Sequence, residues 1–127
     1  MHADLYDLTL EEREHYFYAC VEAPYIDVHI AVTYINEMMA AVRKTSLKKV
    51  LFVRETPMMQ TRLQYAMIAS VIVNMLPGDV QFALVDRSPS HAVVKECILD
   101  ERKRKHRNIS AFDTFEEAEA WLLLQEP

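Results

Sequence analysis

The sequence predicts an α/β domain: a small, mixed, mostly parallel sheet carrying four helices in the order β-β-α-β-α-β-α-β-α. Three observations predict it. Two short runs, 49–54 and 80–85, are apolar almost throughout, as strands buried on both faces are. Segments with apolar residues at three-four spacing separate and follow them, and strands alternating with helices imply crossovers and a parallel sheet. Gly78 is the only glycine among 127 residues, so tight turns are scarce and helix caps and prolines must punctuate the chain.

Taken in order, Leu5 to Leu10 alternates apolar and polar residues and Tyr16 to Val21 is aromatic and β-prone. They read as two short antiparallel strands, the first at the sheet edge. Pro24 breaks that pattern. Asp27 then caps a helix whose apolar positions Val28, Ala31, Val32, Ile35, Met38, Met39 and Val42 form one stripe. Arg43 and Lys44 sit near its C-terminus, where cations suit the macrodipole. The run 49–54 reads as a buried strand, and Pro57 ends it and opens a second helix to about Leu76, before Pro77-Gly78-Asp79. From Tyr65 onward that helix is apolar nearly all round, so one face is available for something besides the sheet. Val80 to Val85 is the next strand and Ser88-Pro89-Ser90 a turn and cap. The third helix carries Val93, Val94, Cys97 and Ile98 and finishes in the basic run 102–107. Ile109 to Phe112 is the last strand. Asp113-Thr114 caps the final helix, with Glu116 and Glu117 placed for a capping box and Ala118, Trp121 and Leu122 on its buried side.

Composition narrows the function classes. Half the residues are hydrophobic (51%) and a quarter charged (26%), the balance of one globular domain spanning 1–127. The opening residues are acidic where a secretory signal would be basic and then apolar, so the expectation is a cytoplasmic chain. The most apolar stretch, Met67 to Leu76, is far shorter than the roughly twenty residues a membrane-spanning helix needs. Cys20 and Cys97 have neither disulfide-scaffold nor zinc-ligand spacing, and His2, His15, His29, His91 and His106 are scattered, so no metal site is expected. No glycine-rich loop offers its amides to a nucleotide, so no dinucleotide or P-loop cofactor is expected either. The net charge of −5 opposes nucleic-acid binding. The run 102–107 lacks interleaved aromatic residues and reads as a solvated helix end.

The closing segment 109–122, a strand ending in Phe112, the acidic cap and a helix bearing Glu117-Ala118 and Trp121-Leu122, resembles the SpoIIAA-like branch of the STAS superfamily, and the element order agrees over nearly the whole chain. The resemblance implies a STAS-like fold and regulation through protein contact or small-ligand binding rather than catalysis. Members that antagonise anti-sigma factors carry a phosphorylatable serine, in an Asp-Ser-x-Gly-like motif, at the start of the second helix. Here that stretch, 54–61, contains neither serine nor glycine, and its hydroxyls are Thr56 and Thr61. The resemblance therefore does not extend to the serine switch.

In parallel α/β sheets ligands bind beyond the carboxyl ends of the strands. The loops there hold Arg54, Glu55 and Thr56, then Asp86, Arg87, Ser88, Ser90 and His91. The binding residues expected are Arg54, Thr56, Thr61, Arg87, Ser90 and His91. Arg54 and Arg87 near helix N-termini would suit an anion, against the plainer alternative of ion pairs with Glu55 and Asp86. Ser88 or Ser90 with His91 and Asp86 would make a hydrolase site only if an imidazole reached the hydroxyl and an acid oriented it; no catalytic residue is assigned. The expectation is a regulatory or protein-interaction module with an unidentified partner, with a carrier of a small anionic or apolar ligand as the alternative and homodimerisation through helix 57–76 a further option.

Overall fold

The central apolar runs pair side by side, and the helices between them cover one face. The computed structural model describes residues 6–56, 61–89, 91–105 and 108–124. Among these the order is β1 (Asp7–Glu12), β2 (Phe17–Glu22), α1 (Val28–Val42), β3 (Lys49–Glu55), α2 (Arg62–Met75), β4 (Gln81–Asp86), α3 (His91–Lys105), β5 (Ile109–Phe112) and α4 (Phe115–Leu124). The strands form one sheet in the order β1-β2-β3-β4-β5. β1 is antiparallel to β2, and the other neighbours are parallel. This is the expected α/β fold, with its antiparallel edge strand.

That strand order explains the layers. The chain moves from β2 to β5 always in the same direction, so crossovers of one hand put α1, α2 and α3 on one face. The main core lies there, with Tyr34, Ile35, Phe52, Ile72, Phe82 and Leu84 buried together. Only α4 returns to the other face, where Ala118 and Leu122 cover Leu51, Val53, Ala83 and Val85. Both faces of β3 and β4 are therefore buried, which is why their sequences do not alternate. β1 does alternate, with Leu8 and Leu10 packed against the main core. At the β1–β2 edge α4 reaches Tyr18 through Phe115, 6.2 Å between ring centres, and leaves Tyr18 and Cys20 half-buried. At the foot of that edge the Arg13 guanidinium lies 4.2 Å from the Tyr18 ring centre, and the Tyr16 hydroxyl donates to Glu119 at 2.7 Å.

Helix starts follow their caps. Asp27 accepts from the Ile30 amide at 2.8 Å, and Thr114 accepts from the Glu117 amide at 3.1 Å. In α1 the buried stripe includes Ile30 and Tyr34, while Val28 and Val32 are only partly covered. The start expected for the second helix at Pro57 lies outside the described residues. The described helix begins at Arg62, where Thr61 and Gln64 form a reciprocal capping box. α2 buries Tyr65, Ile68, Ala69, Ile72 and Val73, and exposes Leu63 and Met67. Those two are the large apolar side chains it leaves open for self-association among the described residues. β1 and β2 each extend further toward the C-terminus than expected, to Glu12 and Glu22. No described helix is long and apolar enough to cross a membrane.

Candidate functional site

The register brings charged residues together at the carboxyl ends of the parallel strands. Glu22 of β2 is level with Glu55 of β3, Arg54 of β3 is level with Asp86 of β4, and antiparallel β1 sets Asp7 opposite Glu22. Backbone bonds from Ala23 to the Glu55 carbonyl and from Arg87 to the Arg54 carbonyl carry the ladder past the strand ends. An open depression of about 890 Å³ results, lined in part by Asp7, Glu22, Glu55, Thr56, Arg87 and His91. The wall is acidic on balance: three carboxylates face one guanidinium.

The two arginines occupy different environments. Arg87 is half-exposed and donates to Glu55 at 2.9 Å. Arg54 points to the opposite face, under the three-helix layer, where it is 1% exposed and paired with Asp86 through Nη1. The second oxygen of Asp86 accepts from the Ser88 amide at 2.8 Å. The Arg54 guanidinium lies 5.5 Å from the Tyr65 ring centre. Burial opposes its charge, but Tyr34 and Asp86 outweigh that and hold its pKa above the ordinary arginine value, while burial pushes the Tyr34 hydroxyl up. Arg54 Nε, Arg54 Nη2 and the Tyr34 hydroxyl have no hydrogen-bond partner among the described residues.

On the rim, the Glu55 carboxyl accepts from Arg87 and from Glu22, which hold it below the ordinary glutamate value. The same hydrogen bond, together with the charge of Glu55, raises Glu22. Asp7 and Glu22 were not foreseen from the sequence. Their signal was the acidic residue at each strand end, which becomes informative only once the antiparallel register is known.

The remaining predicted residues are spread out. Thr56 is buried at 4% exposure on the wall of the depression, whereas Thr61 is the exposed N-cap of α2. Ser90 lies outside the described residues. His91 is the first residue of α3, and its Nδ1 lies 3.4 Å from the Ser88 carbonyl. Asp86 is engaged by Arg54 and the Ser88 amide, so it does not orient that imidazole as a triad acid would. Arg54 and Arg87 are not brought to one anion site: each has a carboxylate partner, on opposite faces of the sheet. Among the described residues no three His, Cys, Asp or Glu side chains gather as a metal site requires.

No protein-family model matches the chain, and no curated protein matches it either.

Proposed function

We propose that this chain is a non-enzymatic regulatory module of the SpoIIAA-like/STAS kind that meets a protein partner at the rim beyond β2, β3 and β4. One observation carries the reading: the rim is an open, net-acidic depression whose one arginine among the lining residues is already paired with Glu55. A surface of this sign suits a basic segment of a partner, and complementary charge chiefly sets encounter rate and partner choice. An open depression suits a contact surface better than an enclosed substrate site.

The test uses immobilised chain and a lysate, followed by the purified partner so identified. Retention should fall as salt is raised and in Glu22→Lys, and should be unaffected by Glu12→Lys at the opposite end of the sheet. Retention indifferent to Glu22→Lys, in a variant that melts like the parent, contradicts the reading.

A second reading, carriage of a small molecule with anionic and apolar parts, is favoured by one separate observation. Buried Arg54 keeps two donor nitrogens, Nε and Nη2, without partners among the described residues, beside an enclosed apolar cavity.

A further inference from the structure

We infer that the buried edge of Arg54 is a binding site for one carboxylate group, carried on an apolar tail that lies between α2 and α3. The inference deepens the second reading above and rests on it. Arg54 uses Nη1 for Asp86, which leaves Nε and Nη2, an edge of the guanidinium fork that can receive both oxygens of a carboxylate side-on. The Tyr34 hydroxyl interacts with the same guanidinium, and its O–H finds no acceptor among the described residues. Three donors without acceptors call for an acceptor-rich group and repel an amine or a second guanidinium.

The charge of that group follows from Asp86. The pair is already neutral, so a monocarboxylate leaves one net negative charge among apolar walls, whereas a phosphate dianion leaves two at a far greater desolvation cost. The tail follows from the walls. Arg54 lines an enclosed cavity with Tyr65, Ile68 and Ile72 of α2, Leu84 of β4, and Val94 and Ile98 of α3 among its neighbours. Its volume of about 10 Å³ has room for one water-sized group, so a tail enters only as α2 and α3 part. At the surface the two helices are linked by the exposed ion pair Arg62–Glu96, which offers little resistance.

Decanoate, decanol and acetate are the probes, read by methyl NMR of Ile68, Ile72 and Ile98 and by melting temperature. Decanoate should shift these methyls and raise the melting temperature, with decanol and acetate each binding about tenfold or more weakly, since a hydrogen bond to a charged group is lost or the tail is missing. Tyr34→Phe removes a hydroxyl whose O–H has no acceptor among the described residues and keeps the ring, so the fold should survive. It should weaken decanoate about tenfold and leave decanol unchanged. The charge-balanced pair Arg54→Met with Asp86→Leu should abolish the preference for decanoate. Equal affinity for decanoate and decanol, or indifference to Tyr34→Phe, overturns the carboxylate site while carriage of an apolar molecule stands. If neither ten-carbon probe binds, both fall.

Discussion

Arg54 and Arg87 each end or follow an apolar strand, and their fates differ because of the face on which each side chain emerges. Arg54 projects beneath three helices and is desolvated, so Asp86 is indispensable to it. Arg54→Met should leave the buried Asp86 carboxylate without a counter-charge and cost about 3–5 kcal/mol in urea unfolding. Adding Asp86→Leu should recover most of that loss; no recovery would mean that the pair is not what the helices enclose. On the rim, the two glutamates should titrate apart. Glu55 is held low by Arg87 and Glu22, so its contribution to stability is present at neutral pH and is lost as pH falls through its lowered value. Glu22 is raised, so its ionised form disfavours the fold at neutral pH, and protonation relieves this as pH falls through its raised value. Side-chain carboxyl NMR should find the Glu22 midpoint above that of Glu55, with Arg87→Gln moving Glu55 upward. Coincident midpoints would remove the hydrogen-bonded pair.

At the scale of elements, helix starts follow side-chain caps. The described part of α2 is opened by Thr61 and Gln64, a capping box written in the sequence at the required spacing. Thr61→Ala should cost about 1 kcal/mol, and Thr61→Asp, which can cap equally well, should be close to neutral. Thermal melts distinguish the two, and equal losses would deny Thr61 its capping role. α1 and α4 were legible from the same kind of signal: Asp27 and Thr114 stand directly before periodic apolar residues and cap them. Among the described helices α4 alone seals the second face, through Leu122, which is fully buried against β3 and β4. Leu122→Ala should therefore cost about 2–5 kcal/mol despite lying near the end of the chain.

For the whole molecule, the order of elements was legible because apolar runs and helical stripes alternate cleanly. The layers were not, since a strand buried on both faces carries no alternation to say which face meets three helices and which meets one. That ambiguity hid the difference between the buried Arg54 and the half-exposed Arg87. Asp7 and Glu22 were hidden for a related reason: they join the rim through the β1–β2 register, a pairing between residues fifteen positions apart. Because the strand order never reverses, no crevice opens between oppositely wound halves, and the depression forms instead where the antiparallel edge meets the carboxyl ends of β2, β3 and β4.

The proposed contact surface is tested most directly by a photo-crosslinking residue placed singly at Glu22, Arg87, Glu12 and Leu124 and irradiated with the partner present. Discrete adducts from positions 22 and 87, with none from 12 or 124, are the predicted result. Adducts confined to 12 or 124 would contradict the rim as the place where this protein meets its partner.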